Sequence, residues 1–228
     1  NLKTNKVEDS ILDKIEMGCE FIDDYLEVYV GIVANGIKKF LSSSKLDSNH
    51  KKYLQGKHIE NFEIKPEKLF INFLKDELHS NTDENVYLQQ EKILVRKTGN
   101  RLIAVIDFEK YFTDQSIYNL YPKRGKVVNL KVITGLLNSI LLEYYFNKKM
   151  ITNPDVFPYI KGIHLKKLPL KFPKGKAEET KFEELVLKIT EMKVNRQDAT
   201  NEMTKLNQMV YKLYELTEEE IKIIEGNE

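Results

Sequence analysis

Residues 92–107 read Lys-Ile-Leu-Val-Arg-Lys-Thr-Gly-Asn-Arg-Leu-Ile-Ala-Val-Ile-Asp, and this stretch decides the fold class. Two apolar runs rich in β-branched residues, Lys92–Val95 and Arg101–Asp107, flank the polar segment Lys97–Asn100. Apolar runs on either side of a short segment that contains glycine are typical of a β-hairpin. The sequence therefore predicts two antiparallel strands joined at Lys97–Asn100.

Short strands are also predicted on both sides of this hairpin. They are Tyr25–Val33, Tyr53–Ile64 around a turn at Gly56, Lys68–Phe73 and Ser116–Tyr121. A short helix capped by Asp9 or Ser10 is predicted before them, because Ile11, Leu12 and Ile15 recur at helical spacing.

The pattern changes after Val128. Leu130–Phe146 has apolar residues at helical spacing and predicts one buried helix. Prolines interrupt the following stretch, so an extended segment is expected around Leu168–Leu170. Neither proline nor glycine occurs between Glu178 and Gly226, which predicts a helical segment with a turn at Asn195–Asp198.

Two capping boxes are predicted in this helical segment, Thr180 with Glu183 and Thr217 with Glu220. The sequence thus predicts an α+β fold: mixed small sheets with a buried helix in residues 1–176, followed by an antiparallel helical hairpin in residues 177–228. A short third helix would close the hairpin.

Composition limits the class of protein. The chain has 228 residues, 41% of them hydrophobic, and Cys19 is its single cysteine, which argues against a disulfide scaffold. No apolar run reaches the ~20 residues of a membrane span, and no signal peptide opens the chain. We expect a soluble prokaryotic cytoplasmic protein without a membrane partner, and the start at Asn1 suggests a fragment of a longer polypeptide.

Charge is distributed unevenly along the chain. The net charge is +1, but residues 1–37 carry −5, residues 38–176 carry +12 and residues 177–228 carry −6. A local positive field attracts polyanions whatever the total charge. A lysine-rich surface without a partner is the alternative explanation.

No catalytic constellation is recognisable in the sequence. The four histidines show no paired spacing, no phosphate-binding glycine loop is present, and no two prolines are adjacent as an amino-methyltransferase site requires. Glu63 and Lys65, with Asp47 upstream, resemble the acidic and basic pair of metal-dependent nucleases. The sequence predicts a non-catalytic chain that holds neither metal nor cofactor.

Side chains suited to duplex DNA cluster on the predicted turns. Arg, Asn and Gln can form paired hydrogen bonds to base edges, whereas Lys and Thr suit phosphate. The candidate DNA-contacting residues are Lys38, Lys39, Lys57, His58, Arg96, Lys97, Thr98, Asn100, Arg101, Gln115, Ser116, Lys123, Arg124 and Lys126. Each cluster could equally be an ordinary solvated turn, and Gln115 and Asn119 could equally be partly buried and bond a neighbouring loop.

A series of motifs in the right order resembles the Taq-type C-terminal specificity domain of type IIG restriction-modification enzymes, which is related to half of a type I specificity subunit. The motifs are Gly31-Ile32, Lys39-Phe40, Tyr53–Ile59, Lys92–Gly99, Tyr111–Tyr118, Leu136–Ser139, Leu168–Leu170 and Val210–Glu220. The resemblance runs from about Tyr25 to Glu225. The chain departs from the family pattern at His58, where aspartate is usual, and at Ala34–Gly36.

The resemblance implies that the chain recognises double-stranded DNA for an adenine-N6 methyltransferase and a nuclease that lie upstream. Those domains would use S-adenosylmethionine and Mg²⁺. Residues 177–228 would dock onto them or onto a second copy, which would make a homodimer. The alternatives are a half-size type I specificity subunit, a protein-interaction module that does not bind DNA, and a metal-dependent nuclease that uses Glu63 and Lys65.

Overall fold

The computed structural model describes residues 2–99, 101–150 and 159–226, with side chains from Lys6 onward. Short strands and helices lie mostly in separate runs along these ranges, and the larger sheets are mainly antiparallel, so the predicted α+β class is confirmed. The helices are α1 Leu2–Glu16, α2 Ile22–Tyr25, α3 Glu84–Tyr87, α4 Leu130–Leu137, α5 Ile140–Tyr145, α6 Gly162–Lys166, α7 Lys176–Val194, α8 Thr200–Leu213 and α9 Glu218–Glu225. The strands are β1 Glu20–Phe21, β2 Leu26–Val30, β3 Leu41–Ser42, β4 His50–Leu54, β5 Ile59–Glu60, β6 Glu63–Ile64, β7 Phe70–Asn72, β8 Lys92–Arg96, β9 Ala104–Asp107, β10 Phe112–Thr113, β11 Ile117–Pro122 and β12 Pro169–Leu170.

The central sheet is antiparallel and has the order β2-β11-β8-β9. The predicted hairpin is confirmed, because Val95 of β8 faces Ala104 of β9. Its second strand begins at Ala104 rather than Arg101, since the ladder closes with the Arg96 amide donating to the Ile103 carbonyl at 3.0 Å. The connecting loop is therefore longer than the sequence indicates.

A second sheet has the order β10-β4-β7-β3, and only its β10–β4 pair is parallel. Gly31, at the end of β2, joins the two sheets. A Cβ atom there would lie 2.1 Å from the Asp114 carbonyl oxygen, so only glycine allows the backbones to approach. The next residue, Ile32, donates its amide to the Thr113 carbonyl at 2.7 Å.

The largest core lies between the central sheet and the helices. The single helix predicted for Leu130–Phe146 is wrong: the chain breaks at Asn138–Ser139 into α4 and α5. The Asn138 side chain accepts from the Ala104 amide at 3.0 Å and donates to the Ala104 carbonyl at 2.8 Å. The Ser139 hydroxyl caps α5. Polar side chains that bind backbone in this way compete with a continuous helix.

The predicted helical hairpin and short third helix are confirmed as α7, α8 and α9. The Thr180 capping box is wrong, because α7 already begins at Lys176 and Thr180 lies inside it. The Thr217–Glu220 box is correct. Phe182 of α7 packs so closely on α4 that a Cβ at Gly135 would lie 2.5 Å from its ring. The hairpin thus shares the core of the sheet body, and the domain boundary at residue 176 stays a prediction.

Two further predictions concern helix and loop boundaries. The first helix is present with Ile11, Leu12 and Ile15 buried, but it begins at Leu2 rather than near Asp9. In the proline-rich stretch, the extended segment at 169–170 forms β12 beside β1, and the short helix α6, which the sequence did not predict, precedes it.

The described helices include none that is both long and apolar enough to cross a membrane.

Candidate nucleic-acid interface

Three of the predicted contact segments meet at Ser116. The Gly56 amide donates to Ser116 Oγ at 2.8 Å, and the Lys97 amide donates to the Ser116 carbonyl at 2.8 Å. The Ser116 hydroxyl in turn donates to the Asp114 carboxylate. We call the segments Gln55–His58, Arg96–Gly99 and 114–116 together the loop junction. Strand pairing brings them to one end of the two sheets although they are far apart in sequence.

Gly56 is required for this close approach. A Cβ atom at Gly56 would lie 2.7 Å from Ser116 Oγ and 3.4 Å from Arg96 Cγ. The hydroxyl of Ser116 is therefore used inside the protein, which does not fit its predicted role as a direct DNA contact. Burial raises the pKa of Asp114, and the hydrogen bonds from Ser116 offset this only in part.

The loop junction carries predicted contact residues that are exposed or half-buried. Arg96 is half-buried and donates from Nε to the Thr98 carbonyl at 3.1 Å, and its terminal nitrogens bond no other described residue. Thr98 and Gln115 are exposed. Lys57 is exposed and lies 3.1 Å from Glu67 Oε2. The junction therefore carries a guanidinium, a hydroxyl, an amide and an ammonium group on its three segments.

His58 is not among these exposed or half-buried residues. Its side chain is only 2% exposed, and its Nδ1 accepts from the Gln55 amide at 3.0 Å. Its Nε2 lies 3.2 Å from Glu67 Oε2. Lys57 and His58 together hold the pKa of the Glu67 carboxyl below its usual range, with Lys57 contributing more. His58 thus stabilises the loop, and its predicted contact with DNA has to be corrected.

Lys97 reveals a neighbour that the sequence did not identify. Its Nζ lies 5.7 Å from the ring centroid of Tyr118 and 5.8 Å from that of Tyr159. Tyr159 is 52% exposed and pairs with Thr98 as an isolated β-bridge. Nothing in the local pattern marks Tyr159, because its position depends on pairing with a loop some 60 residues earlier in the chain.

Lys123, Arg124 and Lys126 lie away from the loop junction. They follow β11, whose first residue faces Arg96 and whose last residue, Pro122, faces Leu26. A strand of six residues spans about 20 Å, so the backbone of the turn that carries these cations begins about that far from Ser116.

The turn that follows β11 is held by ionic and aromatic contacts. Lys123 and Lys166 each lie 3.2 Å from Asp23 Oδ1. Both ammonium groups, that of Lys123 first, keep the pKa of Asp23 below its usual range. Lys126 Nζ lies 5.1 Å from the Tyr25 ring centroid, and Arg124 is exposed. The turn is a second cationic site of the same body.

The remaining candidates also lie outside the junction. Lys38 and Lys39 occupy a 3₁₀ turn immediately before β3. The strand register places the start of β3 level with the start of β4. Lys57 instead follows the end of β4, at the opposite end of the second sheet. Arg101 is exposed and donates to Glu143 Oε2 at 3.2 Å. Asn100 lies outside the described residues.

Two residues of the nuclease alternative, Glu63 and Lys65, form an ion pair, whereas the third, Asp47, pairs with a different side chain. Asp47 binds His50 Nδ1 at 2.7 Å before β4, whereas Glu63 lies in β6, 3.7 Å from Lys65 Nζ. Among residues 2–99, 101–150 and 159–226, no group of three or more His, Cys, Asp or Glu side chains could hold a metal ion.

Solved structures with a related arrangement come from restriction-modification enzymes. The type IIG restriction endonuclease BpuSI matches with a TM-score of 0.55 at 11% identity, over 93% of this chain and 32% of its own. The type IIL restriction-modification enzyme MmeI, solved in complex with DNA, matches with a TM-score of 0.48 at 10% identity, over 89% and 33%. The HsdS subunit from Thermoanaerobacter tengcongensis gives 0.44 at 10% identity, over 93% and 51%.

The BpuSI likeness shows a shared fold, and this chain spans about a third of the length of the MmeI and BpuSI chains. No curated protein matches the sequence. The family model of the TaqI-like C-terminal specificity domain matches residues 51–170, which is more than half of the chain and contains the whole loop junction. The chain therefore belongs to the family of TaqI-like C-terminal specificity domains.

Proposed function

We propose that this chain recognises a double-stranded DNA sequence as the specificity portion of a type IIG restriction-modification enzyme. The observation that carries the proposal is the loop junction, which lies within the part of the chain that matches the specificity-domain family. Guanidinium and amide groups can form paired hydrogen bonds to base edges, and an ammonium group can bind phosphate.

In this proposal the loop junction contacts base edges. Arg96 offers its terminal nitrogens for a paired contact with guanine, and Gln115 offers its amide to adenine. Lys57 breaks its ion pair with Glu67 and binds a phosphate instead. Breaking this pair costs little free energy, because exposed ion pairs contribute little to stability. Asp114 and Ser116 fix the positions of the loops that carry Arg96, Gln115 and Lys57, so these side chains are already arranged before DNA binds.

The cations outside the junction would bind the DNA backbone. The turn that carries Lys123, Arg124 and Lys126 begins about 20 Å from the junction along β11, a distance comparable with the width of a duplex. Lys38 and Lys39 lie at another end of the second sheet. Contacts at separate places along the phosphates fix orientation without reading sequence.

The chemistry would be supplied from outside this chain. We propose an adenine-N6 methyltransferase that uses S-adenosylmethionine and a nuclease that uses Mg²⁺, both upstream in the same polypeptide. The chain itself would be non-catalytic and would hold neither cofactor. Residues 177–228 would dock onto the catalytic portion or onto a second copy through the outward faces of α7 and α8. A half-size type I specificity subunit is the alternative, and a methyltransferase encoded upstream in the same reading frame would exclude it.

The proposal is tested by selecting a preferred duplex from a randomised pool and measuring affinities by fluorescence anisotropy. Arg96→Ala should reduce the preference for the selected duplex over a random one by about 1–3 kcal/mol, because a paired base contact is lost. Lys126→Ala should weaken binding to both duplexes equally, because it contacts phosphate.

Two results would contradict the proposal. An equal loss on both duplexes for Arg96→Ala would remove the junction as the reading surface. Failure to select any duplex, with heparin competing as well as DNA for the same cations, would favour the protein-interaction module instead.

A further inference from the structure

The exposed ring of Tyr159 lies beside the loop junction without a part in the proposed reading of base edges. It is 52% exposed, and the neighbouring residues Lys161 and Ile163 are exposed as well. An aromatic face flanked by lysines is the composition that stacks on nucleobases, because every base has a π-face and a nearby phosphate. Resting on the proposed function, we infer that Tyr159 stacks on a nucleobase at one partly unstacked step of the bound duplex.

The backbone fixes Tyr159 relative to the junction. Thr98 pairs with Tyr159, and the Ile160 amide donates to the Lys97 carbonyl at 2.7 Å. The Tyr118 hydroxyl donates to the Ile160 carbonyl at 3.0 Å from beneath. The first two of these bonds attach the Tyr159 backbone to the same loop that carries Arg96. A base next to the one that Arg96 reads is therefore within reach of Tyr159.

Lys97 prepares this ring for a base. Its Nζ lies 5.8 Å from the Tyr159 centroid and 5.7 Å from that of the buried Tyr118. The cation lies near both rings, and Tyr159 still keeps 52% of its surface open to solvent. It also supplies a positive charge for the phosphate beside an unstacked base.

Opening a base step costs free energy, which the contact with a stacking side chain offsets. A mismatched base pair lowers this cost. Single mismatches are therefore placed in turn at every position of the duplex that the wild-type chain selects. The wild-type chain should bind the duplex with a mismatch at one step more tightly than the matched duplex. This gain should disappear in Tyr159→Ala, whose affinity for the matched duplex should fall about tenfold, within the range for loss of one stacked base.

Three variants separate stacking from other effects. Tyr159→Phe should bind like the wild-type chain, because it keeps the ring. Tyr159→Leu, which keeps apolar bulk without the π-face, should behave like Tyr159→Ala. Phe108→Ala is the matched control: Phe108 is 49% exposed and has Lys131 Nζ 5.8 Å from its centroid, but it follows Asp107, which faces Lys92 at the far end of β8. It should not alter binding.

The outcomes distinguish this inference from the proposed function. If Tyr159→Ala binds every duplex as the wild-type chain does, or if Tyr159→Leu keeps the mismatch gain, stacking is refuted while DNA recognition stands. If the wild-type chain binds no duplex, the proposed function fails and the inference fails with it.

Discussion

At the scale of single residues, the ion pair of Lys92 and Asp107 shows how the body is held rigid behind its loops. Both side chains are 0% exposed and face each other across β8 and β9. Lys92 Nζ also donates to the Tyr87 carbonyl at 2.8 Å, and Asp107 accepts from the amides of Glu109 and Tyr111. Burial lowers the pKa of Lys92, while Asp107 counteracts this effect. The pair fixes the path from the central sheet to β10.

Replacement of Lys92 is expected to be costly. Lys92→Met leaves the Asp107 carboxylate buried without a counter-charge and should lower the free energy of unfolding by about 3–5 kcal/mol. Lys68→Met is the control, because Lys68 is exposed and makes no ion pair with any described residue; its effect should stay within about 0.5 kcal/mol. Urea denaturation of both variants measures the difference. Similar small losses in both would show that the buried pair contributes little.

At the scale of elements, the capping box of α9 connects the two ends of the chain. Glu220 caps the helix through the Thr217 amide at 2.7 Å and also accepts from Lys14 Nζ of α1 at 2.7 Å. Burial acts to raise the pKa of Glu220, but the hydrogen bonds from Lys14 and Thr217 outweigh it and the pKa is lowered. The ionised carboxylate therefore stabilises the contact between α1 and α9.

A pH dependence follows from this lowered pKa. The unfolded chain binds the proton of Glu220 more readily than the folded chain, so the stabilisation is complete above the ordinary pKa of 4.5 and is lost as pH falls through the lower folded value. Glu220→Gln should be less stable than the wild-type chain by about 1 kcal/mol at pH 7. The difference should shrink below pH 4.5 in denaturation curves. A difference that does not change with pH would contradict the role of the charge.

Elements whose signals are local could be predicted from the sequence. The hairpin of β8 and β9 carries its own turn, and the turn between α7 and α8 follows from its polar residues. The break at Asn138 could not be predicted, because its partner is the backbone of Ala104, 34 residues away. The pattern at Thr180 was misleading, since threonine and glutamate at this spacing also occur inside a helix.

The candidate site shows the same limit. Its charged and amide residues were identifiable by type, but their grouping depends on long-range bonds to Ser116. The sequence could not show that His58 points inward or that Tyr159 lies beside Thr98. It also could not show that strand β11 separates the cations at 123–126 from the junction.

At the scale of the whole molecule, the cationic groups are spread over separate ends of the two sheets while the acidic terminal segments pack as helices. Lys57 lies at the junction, Lys123 and Lys126 lie beyond the far end of β11, and Lys39 precedes β3. Such a distribution suits contact with several phosphates on one duplex better than a single concentrated anion site.

Salt should therefore weaken DNA binding strongly. If about five phosphates are neutralised, the logarithm of the association constant should fall against the logarithm of salt concentration with a slope of about −4 to −5. Titration of a duplex at several salt concentrations measures this slope, and Lys126→Ala should make it less steep by about one. A flat response would contradict a contact dominated by phosphate.

The hydroxyl of Ser116 has a consequence for any attempt to redirect specificity. The hydroxyl of Ser116 accepts a hydrogen bond from the Gly56 amide, and the carbonyl of Ser116 accepts one from the Lys97 amide. The three loops are therefore bonded to one another through this residue. If only one loop is replaced by that of a relative, the new loop lacks the neighbouring loops with which it forms these hydrogen bonds. We expect a new sequence preference to be transferred only when all three segments, including the serine at position 116, are replaced at once.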